Sequence, residues 1–572
     1  TVVQAQRMNV KTKVGTNTAF MINDVRNMTF SGGNLVVIKK DASTSSFPIS
    51  NNRYINYSTG GVSTWNGTSW SPLAPTATDY VELSGNYNAA GFTCEYLTVN
   101  ASKQLTIASG TMAVSGNVVL KSNATGTATL INNGTLTVGG TTNVEQYLTV
   151  ARRWWYVSSP LSGAKTTTFT GSNLINGYAE TTTSYSDSLA TNVPLTVGKG
   201  YVVKLNDVSN GIYTFSGGSL NTGDVTLTPT RTGTTAAKRG FNLIGNPYPS
   251  FLNWNAVEKT KIRNTIWYRT YTSGDQMQFD TFDGTIGTSN GVNGEVSGYI
   301  PPMQAFWVKV EADGDVASLT FRNTMRSHQD QNTASNRLRT PSSENNPQLL
   351  RLKVSNGING DETLITTHSN ATDGWDSYDS EKMSNDNLNI PEIFTLAGNE
   401  KIVINYLQNI SADKELPLGF SPGKAGNFSI EATEITNMDN GLRLMLLDMY
   451  DNVQQELTVG SPYSFESDAI PTNNRFTITF KSKGGITKSN NTDYENDVMV
   501  YTNKSNQITI VCNAAINSGS SISVYNAVGQ KLEVQNMLNT ITVMNRKFTP
   551  GIYFVVIDNG AGCLTKKKVV VD

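Results

Sequence analysis

The sequence predicts an all-β protein of several domains, and three observations carry that expectation. Val, Ile, Leu and Tyr alternate with Thr, Ser and Asn in short runs, the period-2 pattern of half-buried strands. Glycine, 49 residues in all, and asparagine punctuate the runs where a chain must reverse. No helical period persists beyond about two turns. At 572 residues the chain exceeds what one core can hold, so about three to five domains are expected. The predicted class is tandem β-sandwich domains, with a short β-solenoid-like segment and a C-terminal Ig-like sandwich.

Residues 1–60 read as a small β module with an internal echo: Arg26-Asn27-Met28-Thr29-Phe30-Ser31 returns as Arg53-Tyr54-Ile55-Asn56-Tyr57-Ser58. Paired strands burying Met28, Phe30, Ile55 and Tyr57 are expected. Residues 61–150 change texture. Short apolar triplets at Leu97–Val99, Leu105–Ile107, Met112–Val114, Val118–Leu120, Leu130–Ile131 and Leu136–Val138 are separated by small polar linkers too brief for helices. Such spacing predicts a few coils of a β-solenoid, with a sandwich edge as the alternative.

Residues 151–325 hold most of the tryptophans and predict an aromatic-rich β-sandwich. "GFNLIGNPYPSFLNW" runs from a strand into a Pro-restricted turn, and "GYIPPMQAFWVKVE" enters a strand through Pro301-Pro302. Residues 326–347 are poor in apolar side chains and read as a linker. Residues 348–484 restart with "QLLRLKVSNG" and carry strand-length runs separated by turns, a second sandwich. A polar linker at 485–497 leads to residues 498–572, where about seven strands fit an Ig-like sandwich.

The net charge is -1 and 16% of residues are charged. That balance provides no field for nucleic acid or an anionic membrane. No run of about 18 apolar residues is present to span a bilayer as a helix. "TVVQAQRMNVKTKVG" lacks the apolar region of a signal peptide, and the composition favours a mature chain or a fragment numbered after processing.

Three cysteines, Cys94, Cys512 and Cys563, are too few and scattered for a disulfide framework or zinc site. Cys512 with Cys563 either pairs or packs as two buried apolar residues. Neither histidine, His328 in the polar linker or His368 after "ETLITT", lies in a hydrolase or metal-ligand pattern. Both read as ordinary surface or turn residues. "GTNTAF" is no phosphate loop, so no nucleotide cofactor is implied. In "DGWDSYDSEK", Asp373, Asp376, Asp379 and Glu381 supply enough oxygen for a calcium loop but lack the EF-hand spacing; an exposed acidic turn is the alternative. Trp154, Trp155, Trp254 and Trp267 form either a sugar-stacking platform or core.

The last domain carries a resemblance. "SISVYNAVGQKL", "FTPGIYFVVI" and "LTKKKVVV" occur in that order, and together they resemble the C-terminal sorting domain of proteins exported through the type IX secretion system of Bacteroidetes. The matching residues are Tyr525, Asn526, Gly529, Gln530, Gly551, Tyr553, Lys566, Lys567 and Lys568. The resemblance implies a secreted or cell-surface protein whose terminal module is an address. Its partners would be the type IX translocon and its outer-membrane shuttle protein, and the address is often cut off or exchanged for a lipopolysaccharide anchor outside. Upstream, "DGWDSYDSEKM", "NEKIVINYL" and "PLGF" resemble the sandwich that often precedes such a domain, and "GFNLIGNPYPSFLNW" resembles a module of adhesin-like members. Without the other motifs, Lys566–Lys568 would read as a solvated edge that blocks strand aggregation.

Three functions compete: a structural surface protein of adhesin or stalk type, a carbohydrate-binding surface protein, and a glycoside hydrolase. An exposed aromatic strip in 151–325 would favour the second. Two carboxyls about 5–10 Å apart in a cleft would favour the third. The first, a protein that is no enzyme, is the expectation.

Overall fold

The computed structural model describes residues 6–13, 17–148, 153–169, 173–206, 211–289, 295–328, 347–482, 498–503, 505–512, 519–537, 539–558 and 564–571. The fold is all-β. Among the described residues strands are joined by turns and short 3-10 segments, without an α-helix, and no helix is long and apolar enough to cross a membrane. Two compact units emerge. One comprises Thr1–Arg269, Gly284–Ile286 and Ser297–Arg339; the other comprises Thr270–Asp283, Gly287–Val296 and Thr340–Asp572.

The first unit begins with two three-stranded sheets, one built on Arg7–Thr12 and one on Asn34–Lys39. Met8, Val10, Phe20, Leu35 and Val37 fill the core between them. This corrects the expected burial of the echo. Ile55 packs against the core, but Met28, Phe30 and Tyr57 are 38%, 72% and 55% exposed. The reason is topological: Val25–Ser31 is an edge strand paired only with Asn34–Lys39, while Asn52–Ser58 pairs with Arg7–Thr12. The two copies of the echo never meet, and the intervening strand takes the core positions.

The solenoid-like segment follows from parallel stacking of the triplets. Tyr96–Val99 lies between Tyr80–Leu83 and Val118–Leu120. Gln104–Ser109 lies between Tyr87–Ala90 and Thr129–Asn132, and Thr111–Val114 between Thr93–Cys94 and Thr135–Val138. Each coil contributes to three parallel sheets, so like residues stack on like. Leu97, Val99, Leu105, Ile107, Met112, Val118 and Leu120, drawn from all three sheets, are fully buried in one shared core. The last parallel strand, Thr142–Tyr147, is covered by antiparallel Ile212–Ser216, which removes an open edge. At the opposite end Trp65, Trp70, Tyr87 and Phe92 form an aromatic cluster with ring centres 5.2–5.8 Å apart.

Coil corners require close backbone approach. A Cβ on Gly91 would stand 2.3 Å from the Thr111 carbonyl carbon and 2.4 Å from the Met112 nitrogen. Gly91→Ala is therefore expected to destabilise the stack by about 2–3 kcal/mol, since backbone cannot yield as a side chain can. Thermal melting of the variant against wild type checks this; an unchanged melting temperature would show that the coils slide apart freely.

In residues 153–327, Phe241–Gly245 and Ile262–Tyr271 flank Ala305–Val310. The Pro-rich turn is pinned by Asn246, which is fully buried. Its Nδ2 donates to the carbonyls of Ser250, Ile300 and Pro301, and its Oδ1 accepts from the Tyr248 amide.

The second unit holds a continuous eleven-stranded sheet. Leu446, near one end of the strand path, shares a core with Phe465 at the other, so the sheet folds over its own side chains. The described residues of 270–283, 287–289 and 295–296 belong to this packing. The Phe279 amide donates to Asn385 Oδ1 (2.6 Å), and Arg351 reaches the Gly287 carbonyl (2.8 Å) and Glu295 (2.9 Å). The terminal module then stacks a three-stranded sheet, Val498–Thr502, Gln507–Cys512 and Ile541–Lys547, against a four-stranded one, Lys531–Asn536, Ser521–Asn526, Gly551–Asp558 and Leu564–Val571. Cys512 is buried in this core and Cys94 in the solenoid; Cys563 lies outside the described residues.

Candidate functional site

The residues that carry the terminal motifs divide into those that build the module and those that face outward. Asn526 builds. Its Oδ1 accepts from the amides of Val528 (3.2 Å) and Gln530 (2.9 Å), and its backbone amide donates to the Gln530 carbonyl (3.0 Å). Gly529, at φ +83°, closes the turn in the left-handed region that a glycine occupies without strain. Gln530 re-enters the hairpin there, so Asn-Ala-Val-Gly-Gln is a turn signature as much as a label.

Tyr553 also builds. Its ring is buried against Phe548, 5.1 Å between centres, and its hydroxyl donates to the Thr549 carbonyl (2.8 Å). Gly551 opens the strand that this tyrosine anchors.

Tyr525, Lys566 and Lys568 face the other way. Register sets Tyr525 opposite Phe554, and Phe554 opposite Lys568; Val556 pairs with Lys566. Lys567 pairs with buried Val555 and shares its face. Three consecutive lysines thus split by strand alternation into an outward pair and an opposed single residue.

The tryptophans resolve differently. Trp254 and Trp267 are fully buried, Trp254 donating its Nε1 to the Asn264 carbonyl (2.5 Å) and Trp267 packing on Phe241. Neither has a ring face left for a sugar. Trp154 and Trp155 are half-buried on one strand, with Lys204 and Arg153 over their respective rings. Sequence alone hid this because an aromatic in a strand looks alike on either face.

The acidic turn is tied into itself. Asp376 accepts from the amides of Thr372 (2.7 Å) and Tyr378 (2.8 Å); Asp379 accepts from the amides of Asp376 and Tyr406 (both 2.9 Å); Asp373 pairs with Lys414. Among the described residues no group of three or more His, Cys, Asp or Glu side chains converges as for a metal ion.

Buried titratable groups elsewhere were invisible to motif reading. Glu362, 6% exposed, receives Arg351 Nη1 and the Ser289 amide; burial pushes its carboxyl up to about 7. Asp361, 4% exposed, is gripped by Lys382 through both oxygens at 2.6 Å, and burial raises it to about 6. Burial also raises Asp280, 2% exposed, which accepts from Thr270 and Gln278. These carboxyls are enclosed by their own partners.

His328 is no free turn residue. Its Nε2 meets Thr106 Oγ1 at 2.6 Å and its Nδ1 meets Thr129 Oγ1 at 2.8 Å, bridging neighbouring coils. Burial, helped by the Arg326 charge, lowers its pKa from 6.5 to about 4.

Opposite pH dependences follow. A histidine depressed on folding supports the fold above its unfolded value and loses that support as pH falls towards 4, whereas the raised Asp361 and Glu362 contribute most below about pH 4 and lose it as pH climbs through 6–7. Acidification from pH 7 to 4.5 should cost the solenoid on the order of 2 kcal/mol through His328. His328→Gln, which keeps hydrogen-bond capacity towards both threonines, should flatten that dependence; denaturant melts at the two pH values check it, and an equal acid loss in wild type and variant would refute the assignment.

Comparison with known proteins adds two matches to families. The family described as "Domain of unknown function (DUF8693)" matches residues 58–480, and that described as "Secretion system C-terminal sorting domain" matches residues 500–572. No curated protein matches the chain. Among solved structures, the 47-kilodalton lipoprotein Tp47 of Treponema pallidum aligns at 9% identity over 57% of this chain and 92% of its own, with a TM-score of 0.13. PorZ, an essential bacterial surface component of the type-IX secretion system of Porphyromonas gingivalis, aligns at 10% identity over 99% of this chain and 68% of its own, with a TM-score of 0.12.

Proposed function

Because the chain belongs to the family of the domain of unknown function DUF8693 and carries a secretion sorting domain behind that region, we propose that it is a type IX export substrate working at the cell surface as a modular protein of adhesin or stalk type. One observation carries the reading: the match of residues 500–572 to a sorting domain, in a module that folds around its own core. Export by this route delivers the chain to the surface or the medium, and the outer-membrane shuttle of the pathway would take the terminal module as its cargo handle.

The upstream region scaffolds and recognises rather than turns over a substrate. Three of its carboxyls that burial raises, Asp280, Asp361 and Glu362, are enclosed by hydrogen-bond partners inside a packed unit. The solenoid's last parallel strand, Thr142–Tyr147, is covered by Ile212–Ser216, which suits a protein exposed outside the cell, where an open strand edge would recruit other chains.

The test is localisation in a host with a working type IX pathway and in one where the pathway is inactivated. The chain should appear on intact cells or in the medium only in the first. Equal external amounts in both would refute type IX export.

A further inference from the structure

We infer that the outer face of the four-stranded sheet in the terminal module is the docking surface for an acidic-rimmed apolar groove on a protein of the export machinery. The inference rests on the sorting reading and specifies where that recognition happens. The face is built by strand alternation. Outward from Gly551–Asp558 stand Ile552, Phe554 and Val556, with Val570 beside Ile552 on one neighbour and Tyr525 beside Phe554 on the other. Ile552 and Phe554 are each 43% exposed and Val570 52%, while inward-facing Tyr553, Val555 and Ile557 are buried. An interior strand with apolar side chains on both faces has one more apolar surface than the module's own core uses.

Charge frames this strip on both sides. Lys566 and Lys568 line one edge strand, and Lys531, its Nζ 5.4 Å from the Tyr525 ring centre, starts the other. Asp558, at the far end of the central strand, is the acid that shares the face among the described residues. A partner that buries the strip must desolvate it between facing cations, which selects carboxylates on both rims of an apolar groove.

Size points to a transient partner rather than a permanent second copy. Four strands about 4.8 Å apart and some seven residues of about 3.4 Å each make a face on the order of 400 Å². That is about half of one side of a standard stable interface, the size of a contact made and released during transport.

The test uses the full chain with two outward-facing double variants, Ile552→Ser with Phe554→Ser and Lys566→Glu with Lys568→Glu. Purified proteins are melted to establish that both fold as wild type does, and external protein is quantified on intact cells and in the medium. Either variant should lower external protein about tenfold or more, the equivalent of one to two lost contacts. If the serine pair unfolds the module, the lysine pair, exposed and unneeded by the core, still decides. Normal export of a folded lysine variant would overturn the docking face, while failed export of a chain lacking residues 551–572 would leave the sorting reading standing. Normal export of that truncated chain would instead remove the sorting reading itself. Binding of the wild type, but not the lysine variant, to phosphatidylglycerol vesicles would overturn the protein partner in favour of an anionic lipid surface.

Discussion

Deleting residues 551–572 is expected to retain the whole chain inside the cell, lowering external protein by far more than any single substitution in the module. Gly551–Asp558 is an interior strand, bonded on one side to Ser521–Asn526 and on the other to Leu564–Val571. It supplies Tyr553, Val555 and Ile557 to the core, and the strand beyond it supplies Val569 and Val571. Five buried apolar side chains at about 1.5–3 kcal/mol each amount to roughly 10 kcal/mol. A small domain has about that much stability to lose, so the remaining strands, with Ile522 and Val524 uncovered, cannot hold the module together. The deletion removes the address by unfolding it. Tyr553→Phe is the matched control: it loses only the hydroxyl bond to Thr549, worth about 1 kcal/mol, and should be exported normally. Immunodetection of the upstream domains in cells and medium reads both variants. Undiminished export of the deleted chain would sink the assignment of this module as the export signal.

Arg475→Met should destabilise the second unit by about 3–5 kcal/mol, because it strands a buried carboxylate. Arg475 is 1% exposed. Its Nε stands 3.0 Å from both oxygens of Asp448, its Nη2 donates to Asp448 (2.7 Å) and Asp451 (2.6 Å), and its Nη1 to the Glu466 carbonyl (2.8 Å). The guanidinium lies 4.7 and 4.9 Å from the ring centres of Phe465 and Phe476, which exclude water from the pair. With methionine in place, Asp448 keeps the Tyr463 hydroxyl at 3.1 Å and loses its counter-charge. Replacing both partners, Arg475→Met with Asp448→Leu, should recover part of the loss, since an apolar pair avoids the desolvation of two ions but leaves the Tyr450 and Asp451 amides and the Tyr463 hydroxyl without their acceptor. Denaturant melts of the two single variants and the double form a cycle that isolates the coupling. A single-variant loss below about 1 kcal/mol would mean that the site hydrates on mutation and that the pair does little for the fold.

Particular residues show how far the sequence could be read. Alternation in "SISVY" and "GIYFVVI" specified strands, and the spaced triplets from Leu97 to Val138 favoured solenoid coils, because both patterns are local consequences of side-chain direction and turn chemistry. The same alternation could not tell which face of Val25–Ser31 is core, and the answer went against it: Phe30 is exposed because Leu35 and Val37 already fill the space. The four tryptophans divide for a similar reason: Trp254 and Trp267 meet the core through residues far from them in the chain, while Trp154 and Trp155 stay half-buried on one strand.

The candidate site was legible as a set of motifs and illegible as a surface. Tyr525, Asn526, Gly529, Gln530, Gly551, Tyr553 and the three lysines could be picked out by order and type. That Asn526 and Tyr553 hold the module together while Tyr525, Lys566 and Lys568 face outward needed the register.

By itself the sequence determined the all-β class and the terminal address and favoured solenoid coils over a sandwich edge, since each depends on residues close together along the chain. Tertiary structure alone decided which apolar faces are buried. It also brought Arg475 to Asp448 and Lys382 to Asp361, and gathered residues 270–283 and 287–289 into the second unit. Burial and ion pairing depend on what long-range packing sets opposite a side chain, and a strand's own alternation carries no record of its partner.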